Sequence, residues 1–219
     1  MRRFINPRRT LAAVALSTAA LVTGPPLAGA ISKPHHTSFT MTPLQKFVPC
    51  MAADGQTPPT ITVDVDRGHL ADNLTLKGKG FKPGLAFDLF TIQNSRLTPD
   101  AKLDPNFKGF GMSWYQSDLE ANSRGKVQAR IKTILLDQTF GLVDGGATPV
   151  GPTNTFNVGF WFNNPADAAG CGFTGTTPFN GEHQAGPLAA VTLPDGATGL
   201  GPLCTSPESN GAGGFRCNP

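Results

Sequence analysis

The residues best suited to chemistry in this 219-residue chain fall in one short run near its C-terminal end, TPFNGEH at 177–183. Glu182 and His183 are adjacent there, with Asn180 and Asp167 close by in sequence. A carboxylate beside an imidazole can pass a proton to and from a substrate when a cleft moves their pKa values toward neutrality. Such an arrangement would suit a secreted hydrolase, with Glu182 and His183 as the acid–base pair and Asp167 as a nearby carboxylate. The plainer reading is favoured: Asn180-Gly181 makes a tight turn and His183 packs the tail onto the body. One histidine without a motif-spaced partner is weak support for catalysis.

Other reactive groups are sparse. The chain has four histidines, His35, His36, His69 and His183. His35-His36, beside Pro34, would need ligands from elsewhere to hold a metal, and a solvated arm is the favoured reading. The sequence contains no GxSxG elbow, HExxH, CxxC or phosphate-binding glycine loop. Asn163-Asn164-Pro165-Ala166-Asp167 is rich in oxygen atoms but lacks EF-hand spacing, so turn chemistry accounts for it as well as calcium does. No metal and no cofactor are expected. Trp114, Tyr115 and Trp161 are the candidates for ligand binding, because aromatic faces stack on flat apolar molecules and on sugars. By strand parity Trp161 lies opposite Phe160 and Phe162, so it either faces solvent or is covered by the C-terminal segment. Cover is favoured, since indole is rarely left exposed.

The elements that must position these residues are strands. Residues 74–93, LTLKGKGFKPGLAFDLFTIQ, read as strand, glycine-rich bend, Pro-Gly turn and strand. Leu74 and Leu76 alternate with Thr75 and Lys77, and Leu85, Phe87 and Leu89 resume the alternation after Pro83-Gly84. Ile61, Val63 and Val65 predict an earlier strand, and Val127, Ala129 and Ile131 a later one that runs on through Ile134-Leu135-Leu136. Phe156, Val158, Phe160 and Phe162 line one face of the most apolar alternating segment, which is expected centrally with its rings inward. Residues 109–115 are read as a further strand and 118–125 as a turn. Residues 94–108 form a long polar connection, a length often functional in compact domains. Another Gly/Pro loop spans 141–154. Beyond 166 only 188–193 (LAAVTL) is strand-like.

Many short strands with 26 glycines and 20 prolines predict an all-β protein, an antiparallel β-sandwich with a closed barrel as the nearest rival. The expected organisation is a leader at 1–30, a Pro-rich arm at 31–58, the sandwich at 59–165 and a Gly/Pro-rich extension at 166–219 docked upon it. Cys50, Cys171, Cys204 and Cys217 allow three disulfide connectivities. The one read here joins Cys204 to Cys217, closing the glycine-rich end, and Cys50 to Cys171.

LTLKGKGFKPGLAFDLF at 74–90, with EANSRGKVQARIKTI at 120–134, resembles the strand–GxGF–PG–strand pattern of bacterial secreted immunoglobulin-like modules. It is similar in particular to the neocarzinostatin-type apoproteins. Asn157-Val158-Gly159 and Ala166-Asp167-Ala168-Ala169-Gly170 resemble the last strand region of that family, so the likeness spans about 59–170. The resemblance implies an immunoglobulin-like fold, and in the family a cleft between sheet and loops holds an apolar aromatic molecule. This chain departs from the family in having no cysteine between Gln93 and Tyr115. The resemblance is therefore carried at the level of fold, and the ligand is not carried across.

Residues 1–30 read as an export signal. Arg2, Arg3, Arg8 and Arg9 precede an apolar run at 11–22, which Gly24-Pro25-Pro26 breaks before the small-residue site Ala28-Gly29-Ala30. That run is shorter than the roughly 20 residues a membrane span needs. Sec export is the default reading, with Arg8-Arg9 a weak twin-arginine match. The leader carries four of the 18 basic residues and none of the 15 acidic ones, so the mature chain has a formal charge of −1. A nucleic-acid partner is thereby set aside, and no transmembrane segment is expected in the mature chain. The expected function is an exported, non-catalytic binding or surface-associated module. Its partner would be a small apolar or aromatic ligand, or a cell-surface glycan. The alternatives are the hydrolase above and a structural envelope protein.

Overall fold

A computed structural model describes residues 36–135, 141–142, 149–150, 156–177 and 184–217. The leader, Glu182 and His183 lie outside the described residues, as do His35 and Leu136.

Eight strands make one antiparallel sheet: β1 (His36–Pro43), β2 (Thr60–Asp66), β3 (Asp72–Lys79), β4 (Ala86–Ile92), β5 (Ser113–Glu120), β6 (Lys126–Thr133), β9 (Asn157–Phe162) and β10 (Leu188–Val191). Two short ladders stand apart from it, β7 (Gly141–Leu142) with β8 (Pro149–Val150), and β11 (Pro207–Ser209) with β12 (Phe215–Cys217). The order in the large sheet is β5-β4-β9-β10-β1-β2-β3-β6. β1 belongs to both halves: His36–Met41 pairs with β2, and Thr42–Pro43 pairs with β10. The sheet folds back until its two edge strands meet through side chains, where the Thr133 hydroxyl of β6 donates to Gln116 Oε1 of β5 at 2.7 Å; Gln116 is itself steadied by donating from Nε2 to the Thr91 hydroxyl of neighbouring β4 at 3.2 Å. The result is an antiparallel all-β structure between a sandwich and a nearly closed barrel.

Alternation in sequence becomes alternation in burial. Ile61, Val63 and Val65 of β2 and Leu74 and Leu76 of β3 are buried, while Asp64 and Lys77 meet across the wet face at 3.9 Å. Phe81, Phe87, Phe160 and Phe162 are fully buried between the layers. The ring centroids of Phe87 lie 4.8 Å from Phe160 and 5.3 Å from Phe162, so the rings form one tilted cluster. Each fully buried side chain of this size contributes about 1.5–3 kcal/mol. The bend before Phe81 works because Gly78 has no side chain: a Cβ there would stand 2.6 Å from Val127 Cγ2 and 2.8 Å from Phe81 Cε2. Gly125 closes the β5–β6 turn at φ +65°, with Asn122 Oδ1 accepting from the Arg124 and Lys126 amides.

Four expectations about local structure are corrected. Residues 36–43 are a strand within the sheet, not part of an arm lying beside it. The stretch between Pro34 and Pro43 carries no proline and can pair on both sides. The fifth strand runs later than read, Ser113–Glu120, because the wet ends of Gln116 and Asp118 are tolerated on a sheet edge, and the turn contracts to 121–125. The sixth strand ends at Thr133: Leu135 is buried, but Ile134 is half exposed. β10 is also more than a docked element, since it joins β9 to β1 inside the sheet.

Both disulfides have the pairing read from sequence, Cys50–Cys171 and Cys204–Cys217. The first ties the short helix α1 (Val48–Met51) to the 3-10 segment Pro165–Cys171. Pro49 sits in the first turn of α1, where a missing N–H costs nothing. Two disulfides suit an oxidising extracellular setting. Among the described residues no helix is long and apolar enough to cross a membrane.

Candidate functional site

The outer face of the β4–β9–β10 region is not open to water. Trp161, Phe90, Ile92 and Leu188 lie on it and are buried, and much of their cover comes from the connection between β4 and β5. The base of that connection is zipped shut. The Asn94 amide donates to Phe110 O at 3.0 Å, the Met112 amide to Gln93 Oε1 at 2.7 Å, and Asn94 Nδ2 to Gly109 O at 3.0 Å. Ser95 Oγ donates to Thr192 O at 2.8 Å and fixes the connection to the end of β10.

The part that projects is a small hairpin. Leu97 bridges Leu103, the Thr98 amide donates to Lys102 O, and Ala101 takes φ +62° at the tip. Its Asp100 carboxyl is held below the usual carboxylate range, first by the Lys102 ammonium at 2.7 Å and then by the Thr98 hydroxyl. The same contact raises Lys102. An aromatic line runs inward from here. The Arg96 guanidinium lies 5.3 Å from the Phe107 ring centroid, Phe107 meets Phe110 at 4.8 Å, and Phe110 meets Trp161 edge-on at 4.9 Å.

Between this hairpin and the turn at 43–47 lies a cavity of about 460 Å³. Trp161, Pro187 and Leu188 form its floor. Leu44 and Phe47 line it from the N-terminal turn, Leu97, Leu103 and Phe110 from the connection, and Phe173 and Thr177 complete it. Leu103 is 60% exposed although it lines an apolar wall, so this side of the hairpin lacks apolar cover among the described residues. The volume is within the range of small-molecule sites, and the mixture of a mainly apolar lining with few polar groups is typical of them.

The three aromatic candidates do not share one surface. Trp161 is 1% exposed and floors the cavity. Tyr115 pairs in register with Phe90, packs edge-on against it at 5.4 Å and donates its hydroxyl to Asp118 Oδ1. Trp114 pairs with Thr91 and so projects from the other face of β5, nearly half exposed. The cover on Trp161 was expected from the C-terminal segment; the Phe110 ring supplied by the 94–111 connection was not foreseen.

Of the acid–base candidates, Asp167 is described. It lies partly buried in the first turn of the Pro165–Cys171 segment, and burial raises its pKa. The oxygen-rich run before it is engaged in local bonds: Asn164 Oδ1 accepts from the Ala166 amide as an N-cap, and Asn163 Nδ2 donates to Asp88 Oδ1. His36 stands on β1, its Nδ1 2.7 Å from Asp66 Oδ1 on an exposed face. Arg96, Phe107, Phe110 and the Leu97/Leu103 pair were missed in the sequence. Their signal was present as apolar and aromatic residues spaced through a connection otherwise polar.

No protein-family profile matches the chain, and no curated protein matches it.

Proposed function

We propose that this chain is an exported, non-catalytic binding protein that holds a small apolar molecule in the groove under the 94–111 connection. The observation that carries the reading is the groove of roughly 460 Å³, whose lining among the described residues is mainly apolar and includes the 60% exposed Leu103, with Trp161 buried at its base. Small-molecule sites are commonly concave and mainly apolar with a few polar groups at the edge, as here. The groove's walls are held rigid by the zipped base of the connection and by the Cys50–Cys171 bond behind Phe47, so little ordering cost is left for a ligand to meet. The likeness to neocarzinostatin-type modules supports the same architecture of sheet, loop and cleft. The leader and both disulfides support an extracellular setting.

The test is tryptophan emission in a Trp114→Phe protein, whose sole indole is Trp161. Saturable change on titration with apolar or polycyclic probes is expected. Silence toward apolar, aromatic and sugar probes alike would leave the structural envelope role as the better account.

A further inference from the structure

The groove is apolar without being neutral. Among the described residues two ionisable side chains line it, Lys46 from the 45–47 turn and Arg96 from the connection; both are cations and both are exposed at its rim. Among the described residues neither Asp nor Glu is part of that lining. Some basic groups elsewhere are neutralised by acidic partners, as in Arg67–Asp72, Lys102–Asp100 and Arg216–Glu208. Lys46 and Arg96 have no such partner among the described residues, and each lies over a phenylalanine: Lys46 Nζ is 5.5 Å from the Phe47 centroid and Arg96 is 5.3 Å from that of Phe107.

The charges are thus placed beside an apolar wall, where the effective dielectric is below that of water and an anion is held more firmly. A neutral head would gain only hydrogen bonds from them, an anionic one charge attraction as well, and a cationic one would be repelled. We infer that the natural ligand is a monomeric amphiphile with one anionic head, of the fatty-acid type. Its apolar body lies against Leu103, Phe110 and Phe173, above the buried Trp161, and its carboxylate lies at the rim toward Arg96 and Lys46. This inference rests on the binding function proposed above and adds the class of ligand.

The experiment uses the full mature chain carrying Trp114→Phe. Trp161 emission is titrated with dodecanoate, dodecanol and dodecyltrimethylammonium, each kept below its micelle concentration. Dodecanoate is expected to bind about five- to tenfold more tightly than dodecanol, the effect of two partly solvated ion pairs, with the ammonium weakest. The gap should narrow as salt rises. Arg96→Gln combined with Lys46→Gln should bring dodecanoate down to the affinity of dodecanol. Equal affinities for all three probes overturn the anionic head and leave the binding function standing. No response to any of them overturns both. If Trp161 emission instead follows protein concentration alone and sedimentation shows a dimer, a second copy fills the groove and the inference falls.

Discussion

Arg67 and Asp72 form a buried ion pair at the turn between β2 and β3, Nη1 to Oδ2 at 2.9 Å, with the carboxylate fully enclosed. The same guanidinium donates through Nη2 to Leu203 O at 2.7 Å, and Asp72 Oδ1 accepts from the Gly68 amide. One side chain therefore fastens a hairpin turn to a segment 136 residues further along. Replacing Asp72 with Ala strands that guanidinium in the interior and is expected to cost about 3–5 kcal/mol. Replacing both residues with apolar ones should cost markedly less, which urea denaturation of the two variants will show.

Gly78 is predicted to be intolerant of any side chain. Gly78→Ala drives a methyl into Val127 and Phe81 and should destabilise by about 1–3 kcal/mol through overpacking. Pairing it with Val127→Ala should recover part of the loss, because the closest clash is with a Val127 methyl; chemical denaturation of the double variant reads this directly.

The two disulfides should differ in strength. Cys50–Cys171 closes 121 residues and Cys204–Cys217 only 13. On the chain-entropy account, replacing the first pair with alanines should cost about 2 kcal/mol more than replacing the second. Equal midpoints in denaturant for the two double variants would contradict that account.

Asp54 offers a pH test. The Thr57 hydroxyl, then the Gln56 and Thr57 amides, hold its carboxyl at about 2, below the ordinary 3.8. Because the folded value is the lower one, its stabilising contribution is complete above 3.8 and is lost as pH falls from there toward 2. A carboxyl carbon titration by NMR should place the midpoint near 2, and Thr57→Val should raise it.

The two tryptophans should be separable by quenching. With Trp114→Phe, the remaining emission comes from a side chain 1% exposed and should resist iodide; with Trp161→Phe, it comes from one 47% exposed and should be quenched readily.

Much of the sheet was legible because one-sided burial writes a period of two into the residues. Ile61, Val63 and Val65, and Leu74 and Leu76, could hardly be arranged otherwise. The phenylalanine cluster was legible for the same reason. β1 was not read, since half of HTSFTMTP is threonine and serine and its inward face is marked only by Phe39, Met41 and a proline, and its neighbours are set by partners far away in sequence. The groove was hidden more deeply. Phe107 and Phe110 lie in irregular backbone, where no period marks a face, and it is the bonds of Gln93, Asn94 and Ser95 to Met112, Phe110, Gly109 and Thr192 that bring them over Trp161. Trp161 itself was placed on the correct side of its strand, but parity cannot say which segment will cover it.

The seat of β1, between β2 on one side and the late-arriving β10 on the other, has a consequence for biosynthesis. A ribosome that has made everything up to β9 has produced two open edges with nothing yet to join them. Closure must wait until Leu188–Val191 emerges, so premature stops upstream of that tetrapeptide should yield sticky, protease-sensitive fragments and not a smaller working protein.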